Sequence, residues 1–498
     1  MAATSQIAAC LGGLVATVVV DALARPQATG MRAWRSAAGL WLLACQAAAL
    51  FGAFLALCGS LIVSSALTLA VLVLLVIASN AKHAMLGEPL VFSDLALIGS
   101  IFRHPQFYLS AVPAWQRTVA AVATTALLAT IAWLFVPDLA AHGAGLAIMV
   151  IALGLLAVSL RMPPFRGLAR TPSNEADVRA LGLTPTLMLY WLRWRQSRDP
   201  APCPSVVRHQ ARDEAELLPE LLPELLVVIQ CESFADPVEL FGDTALDLPS
   251  LAAARENAWQ YGELHVSGFG AYTMRTEYAV LFGREEEELG FRRYDPFLTA
   301  LGEASYALPA RLGPEWRSLF IHPHDMRFYG RDAIMPAAGF RQLVGEDRFV
   351  PPGPGEGRYV TDAAMAYQIL ELAEAARGPT LLYAVTIENH GPWAPDAATG
   401  ASNLVDSYMQ LVRNSDAMLE RLIGGLAALR RPAMLVFFGD HRPSIPGATD
   451  PAGPRHTPYV LVRLDAEGRF VRGDNRRVDL TPAGLHHAML DIVLGKPA

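Results

Sequence analysis

Charge is nearly missing from the first third of this 498-residue chain, and between residues 38 and 79 it is missing altogether. Residues 1–161 hold Arg25, Arg32, Arg35, Lys82, Arg103, Arg117 and Arg161 against Asp21, Glu88, Asp94 and Asp138. A charge-free run of that length excludes an ordinary solvated surface, because about 20 apolar residues already cross a bilayer core. Cysteine is scarce as well. Cys10, Cys45, Cys58, Cys203 and Cys231 show no paired spacing, and three lie in apolar runs. That excludes a disulfide framework and a thiolate zinc site. Positive charge is short in the remainder, which carries about −10 where the whole chain carries −7. Nucleic acid is thereby excluded as a partner, since it wants a basic face. No basic stretch precedes the first apolar run, and more such runs follow, which argues against a cleaved signal peptide.

What is present is apolar side chain, 53% of the residues, with a mean hydropathy of +0.30. The excess sits in residues 1–161, where five membrane helices are predicted near 6–24, 38–58, 60–79, 117–137 and 142–160. Gly59-Ser60 is the expected turn between the second and third. Five spans put the chain's ends on opposite sides of the membrane. The positive-inside rule then puts Arg25, Arg32, Arg35, Lys82, Arg103 and Arg161 on the side of the C-terminal domain and calls that side cytoplasmic. The connection 80–108, rich in Phe, His and Tyr, reads equally as an interfacial segment and as a solvated loop. Residues 162–222 form a juxtamembrane linker. Within it, 187–195 has the aromatic and basic character of a helix lying on the membrane surface.

From residue 223 to 498 short apolar runs alternate with helical patterns. Strands are expected at 225–230, 318–322, 381–387, 433–438 and 459–464, and helices at 362–377, capped by Thr361, and at 403–429. The alternation predicts an α/β domain around a mainly parallel central sheet. Reactive residues stand just past the strands: Glu232 and Ser233, then His322-Pro323-His324-Asp325, then Glu388-Asn389-His390, then Asp440-His441-Arg442. Open α/β sheets bind ligands at the carboxyl ends of their strands, so these clusters can converge on one site.

Glu232, Asp440 and His441 are a suitable donor set for a divalent cation such as Mn²⁺ or Zn²⁺. Ser267-Gly268-Phe269-Gly270 leads into Thr273, placed as the N-cap of a short helix that ends at Gly283. A hydroxyl there, beside a cation, can attack phosphorus. Taken alone, the same stretch reads first as an ordinary Gly-rich turn capped by Thr. Arg331 can hold phosphate oxygens bidentately, or pair with Asp332 at the surface. His322 and His390 can bind that phosphate or move protons, and Tyr329 can stack on a headgroup. Each of the three reads as well as a structural residue.

These residues, in this order, resemble the lipoteichoic acid synthase and phosphoglycerol transferase group of the alkaline phosphatase/sulfatase superfamily. The matching pieces are Val227-Val228-Ile229-Gln230-Cys231-Glu232-Ser233-Phe234, Thr273-Met274-Arg275-Thr276-Glu277-Tyr278, His322 with Arg331-Asp332, Asn389-His390-Gly391-Pro392 and Gly439-Asp440-His441. The N-terminal part is similar in its five spans and its Gly-Glu-Pro-Leu-Val-Phe-Ser-Asp segment. The resemblance implies one divalent metal ion, usually Mn²⁺ with Mg²⁺ or Zn²⁺ as alternatives, held by Glu232, Thr273, Asp440 and His441. It implies that Thr273 takes glycerophosphate from phosphatidylglycerol and passes it to a hydroxyl on an envelope glycan or lipid-linked glycan. His322, Arg331, His390 and Tyr329 match positions around the phosphate and glycerol, and His456 an extra ligand position of some relatives. The implied setting is a bacterial inner membrane with the catalytic domain facing the periplasm or exterior. The arginines and Lys82 that conflict with this orientation would then bind anionic headgroups.

Around the nucleophile the synthases carry Thr-Ser-Asp-x-Glu-Phe, where this chain has Thr-Met-Arg-Thr-Glu-Tyr. The competing readings are a phosphoethanolamine transferase acting on an envelope lipid or glycan, whose soluble domain generally carries disulfides where this chain offers only Cys203 and Cys231, and a non-catalytic envelope module. A sulfatase wants a Cys-x-Pro-x-Arg context, which Thr273 lacks.

Overall fold

The computed structural model describes residues 12–13, 15–27, 35–95, 114–203, 222–353, 357–395 and 400–495. The chain divides into two compact units, Met1–Ser197 and Arg198–Ala498.

Among the described residues of the first unit three helices are long and apolar enough to cross a membrane: Ala37–Cys58, Leu61–Leu86 and Leu139–Ser159. Ser36 caps the first by accepting from the Gly39 N–H. That helix ends at Gly59, with φ of 68°, and Ser60 caps the next, so the turn falls at the expected Gly59-Ser60. Gly52 and Gly145 let the first and last of the three touch closely: a Cβ on Gly52 would lie 2.6 Å from the Met149 nitrogen. Small residues at such contacts are how membrane helices pack without a hydrophobic driving force. A further helix, Ala114–Trp133, stands where the fourth span is expected. The expected first span lies partly outside the described residues, and the connection 80–108 does so beyond residue 95. Three apolar spans of the five-helix expectation are thus present among the described residues.

Two of the cations assigned to headgroups are already engaged. The Arg35 guanidinium donates to the carbonyls of Asp21, Ala24, Val178 and Arg179, and pairs with the Asp21 carboxylate. Lys82 pairs with Asp94 at 2.5 Å. The Asp21 carboxylate also accepts from the Leu183 N–H. Helices Asn174–Leu181 and Leu183–Gln196, of which the second covers the helix expected at 187–195, are thus tied into the first unit. Burial of Leu183, Leu187, Leu189 and Tyr190 accounts for the apolar positions of the second.

The second unit is built on an eight-stranded sheet ordered β4-β3-β5-β1-β6-β7-β2-β8. The strands are β1 (Leu225–Cys231), β2 (Gln260–Leu264), β3 (Arg317–Ile321), β4 (Gln342–Val344), β5 (Thr380–Val385), β6 (Ala433–Gly439), β7 (Thr457–Leu464) and β8 (Arg476–Arg477). β4, β3, β5, β1 and β6 run parallel, and β7 is antiparallel to both β6 and β2. Every position of β1, β5 and β6 is buried, as expected of parallel strands covered on both faces. The predicted helices form as Asp362–Ala375, capped by Thr361, and Leu404–Ala428, capped by Asn403. All five expected strands are present. β2, β4 and β8 were not expected.

Register does the positioning. β1 and β6 lie side by side with Cys231 opposite Gly439, so the next residues, Glu232 and Asp440, emerge together. Gly439 is required there, because a Cβ would sit 1.9 Å from the Phe234 carbonyl oxygen. Gly439→Ala should therefore cost roughly 1–3 kcal/mol and displace Asp440. The expected result is a lower Tm with loss of metal-dependent stabilisation; an unchanged Tm and an unchanged metal response would contradict it.

Candidate active site

Two strand ends, those of β1 and β6, and one helix meet at Glu232, Asp440, His441 and Thr273. All four are buried. The ligand atoms of Glu232, Asp440 and His441 lie within 4.8 Å of one another. His441 Nε2 is 3.4 Å from Glu232 Oε1, 3.8 Å from Asp440 Oδ2 and 3.4 Å from Thr273 Oγ1.

The surroundings orient each donor. Glu232 Oε1 accepts from the Ser233 hydroxyl, and the Glu232 N–H donates to Thr386 Oγ1. Asp440 Oδ1 accepts from the Ser233 N–H at 2.8 Å, while its Oδ2 is buried with no hydrogen-bond partner. His441 Nδ1 faces the Arg442 carbonyl at 3.2 Å. A carbonyl can only accept, so Nδ1 carries the proton and Nε2 keeps its lone pair for a cation. Burial, reinforced by Glu232, pushes the Asp440 carboxyl up to about 7. For His441 burial acts downward, but the carboxylates of Asp440 and Glu232 outweigh it and its pKa is raised. An orphaned carboxylate oxygen, a second carboxylate, an imidazole lone pair and a hydroxyl fit a divalent cation.

The nucleophile candidate reaches this cluster through a clip. Gly270, at φ of 64°, donates its N–H to the Arg442 carbonyl at 2.8 Å, and Phe269 bridges to Arg442. A side chain at Gly270 would meet the Ser444 Cβ at 2.2 Å. The Thr276 hydroxyl then donates to the Asp440 carbonyl at 2.7 Å. One difference from expectation follows. Tyr272, at φ of 79°, holds the cap position and Thr273 is the first residue of the helix Thr273–Phe282. The Thr273 hydroxyl faces His441 instead of capping its own backbone.

Around this centre, Arg331 is buried and holds Glu277 through two parallel bonds, Nε to Oε1 at 3.0 Å and a terminal nitrogen to Oε2 at 2.5 Å. It therefore pairs with neither Asp332 nor solvent. Losing one partner of such a buried pair costs about 3–5 kcal/mol. The Tyr329 ring lies 5.0 Å from the Arg331 guanidinium carbon. His322 faces the Val385 carbonyl through Nδ1 at 3.0 Å. Burial, with Arg331 beside it, holds its pKa well below the usual value, so it is neutral with Nε2 as an acceptor. His390 is exposed, and its Nδ1 faces the Gly391 carbonyl at 2.7 Å. His456 stands apart from the metal cluster, engaged by Glu239 and Arg442.

Thr276, Glu277 and Gly270 were not expected as site residues, although all three lie in the stretch singled out from the sequence. A second buried acid pair was also not expected. The Asp362 N–H donates to Glu388 Oε2 at 2.6 Å, Ser415 donates to Asp362 Oδ2 at 2.6 Å, and Asn414 donates to Glu388 Oε1. Burial and the neighbouring Glu388 push Asp362 up to about 8.

Two outcomes are expected. Mn²⁺ at about 100 times its dissociation constant should stabilise the protein by about 2.7 kcal/mol. Chelation should reverse the Tm gain and Asp440→Asn should abolish it; a gain surviving Asp440→Asn would place the ion elsewhere. The folded protein keeps the Asp362 proton that the unfolded chain loses near pH 4. Stability should therefore fall as pH rises from about 4 to about 8. Asp362→Asn should flatten that decline in Tm; an equally steep decline would contradict the assignment.

The Sulfatase family model matches residues 224–490. The capsular polysaccharide biosynthesis protein RkpI of Rhizobium meliloti (strain 1021) is 30% identical over 464 residues, 89% of this chain and 85% of that protein. The lipooligosaccharide phosphoethanolamine transferase A (EptA) of Neisseria meningitidis superposes with a TM-score of 0.48 at 14% identity, over 92% of this chain and 96% of that one. Streptococcus pyogenes phosphoglycerol transferase GacH, solved with sn-glycerol-1-phosphate, gives 0.45 at 14% identity over 62% and 82%. With a family model spanning more than half of its residues and a relative 30% identical along most of its length, the chain belongs to the Sulfatase family.

Proposed function

We propose that this protein is a membrane-bound phosphoglycerol transferase that moves glycerophosphate from phosphatidylglycerol to an envelope glycan through Thr273. The observation that carries it is the Thr273 hydroxyl 3.4 Å from His441 Nε2, at the edge of a buried donor set with an orphaned Asp440 oxygen. Glu232, Asp440, His441 and Thr273 would hold the divalent ion, with Mn²⁺ proposed. When bound it favours the Thr273 alkoxide and neutralises phosphoryl oxygens.

Thr273 Oγ attacks the donor phosphorus, the bond from phosphorus to the diacylglycerol oxygen breaks, and that oxygen leaves with a proton. An acceptor hydroxyl then attacks the same phosphorus, loses its proton, and returns the electron pair to Thr273 Oγ. His390, exposed at the rim, is assigned the proton transfers. Neutral His322 presents Nε2 to a glycerol hydroxyl. Glu277 has both carboxylate oxygens on Arg331, so the pocket offers this carboxylate to no ammonium group and suits an uncharged glycerol better than an ethanolamine. Tyr329 covers the headgroup. The similarity to a capsular polysaccharide biosynthesis protein supports an envelope glycan as acceptor. The catalytic unit is assigned to the outer side of the inner membrane, where such an acceptor lies.

The test incubates the purified full-length protein with Mn²⁺ and headgroup-labelled phosphatidylglycerol or phosphatidylethanolamine, and maps adducts by mass spectrometry. A glycerophosphate adduct on Thr273, absent from Thr273→Ala, is expected. A phosphoethanolamine adduct would reassign the donor, and no adduct from either would sink the proposal.

A further inference from the structure

The proposed substrate pocket changes character from bottom to rim. At the bottom, Arg331 is 1% exposed and His322 is 4% exposed. Moving outward, the His324 ring lies 6.0 Å from His322, and Tyr359 lies 6.3 Å from His324 and 5.8 Å from His390. Tyr359 is half-buried, whereas His390 and Arg358 are exposed. The Arg358 guanidinium carbon stands 5.1 Å from the Tyr359 ring centre, a cation–π placement that holds the charge over the ring.

Charge is uneven along the same path. The carboxylate next to His324, that of Asp325, is gripped from the side by Arg327 through three contacts of 2.5–3.0 Å. Arg358 forms no ion pair with a carboxylate among the described residues. The rim thus offers an aromatic face, two imidazoles and a planar cation with no carboxylate partner among the described residues. In the proposed transfer the small headgroup takes the buried end. A polymer cannot enter it, so a polymeric acceptor has to lie across the rim.

We propose that Arg358, Tyr359, His324 and His390 form the acceptor subsite, and that it selects a glycan carrying carboxylate groups, that is, acidic sugar residues. The aromatic face takes the C–H side of a sugar ring, and the guanidinium takes a carboxylate through two parallel hydrogen bonds. This rests on the phosphoglycerol transferase reading for the word acceptor, but the binding chemistry stands on the rim alone.

The experiment uses the full-length Thr273→Ala protein in detergent with Mn²⁺, so that nothing turns over. Calorimetry measures binding of an oligoglucuronide and of a neutral glucan oligosaccharide of equal length. The acidic ligand should bind roughly tenfold more tightly, about 1.4 kcal/mol. Adding Arg358→Gln should erase that preference while Arg358→Lys keeps part of it, and Tyr359→Ala should weaken both ligands. Equal binding of the two ligands, or a preference untouched by Arg358→Gln, would overturn the proposal. So would binding of neither, with a response only to phosphatidylglycerol nanodiscs, which would assign the rim to a lipid headgroup. The adduct assay on Thr273 fails independently of this one. Acidic-glycan binding without an adduct would leave the subsite and remove the transfer reaction.

Discussion

Two carboxylates buried side by side, with an imidazole between them, are the constraint that organises the catalytic unit. Glu232 and Asp440 repel each other in a place water does not relieve, and Asp440 Oδ2 has no donor of its own. The raised Asp440 pKa and the adjacent His441 ease that repulsion, and a bound cation would relieve it further. The neighbouring structure serves the arrangement. β1 and β6 are adjacent and in register so that the two acids leave the sheet together, and Ser233 satisfies one oxygen of each. The His441 tautomer is set by the Arg442 backbone so that its lone pair faces the acids.

Most of the sheet was legible in the sequence because β1, β3, β5 and β6 are buried along nearly their whole length and read as short apolar runs. β2 was not, since Gln-Tyr-Gly-Glu-Leu alternates buried and half-buried positions and contains a glycine. β4 and β8 are too short to show a pattern. The grouping of Glu232, Asp440 and His441 was legible because these residues come just after β1 and β6. The partner of Arg331 was not legible. Glu277 lies 54 residues away, and no local pattern says that a guanidinium will meet it. Asp332, the adjacent acid, was the local guess and the wrong one. The place of Thr273 was missed by one position for a related reason. A hydroxyl at a helix start is usually a cap, and only the tertiary contact with His441 draws it elsewhere.

In the membrane unit the same lesson applies to charge. Arg35 and Lys82 looked like cations in search of headgroups when counted along the chain. In the fold, Arg35 gathers four carbonyls and the Asp21 carboxylate, and Lys82 meets Asp94. A buried arginine with that many acceptors is a structural tie, and the hairpin of helices at 174–196 is what it ties.

The clip through Gly270 and Thr276 has a mechanical consequence. Thr273 does not belong to the strand ends that carry the acids, yet it hangs from the backbone of Asp440 and Arg442 by two hydrogen bonds on either side of itself. Any thermal excursion of the 440–442 segment drags the hydroxyl along with the groups that would activate it. In the proposed reaction the attacking hydroxyl and the Asp440 and His441 side chains would therefore move together, and their mutual spacing would be kept. For a reaction whose rate depends on angstrom-scale approach, correlated motion of this kind protects the geometry without demanding a rigid domain.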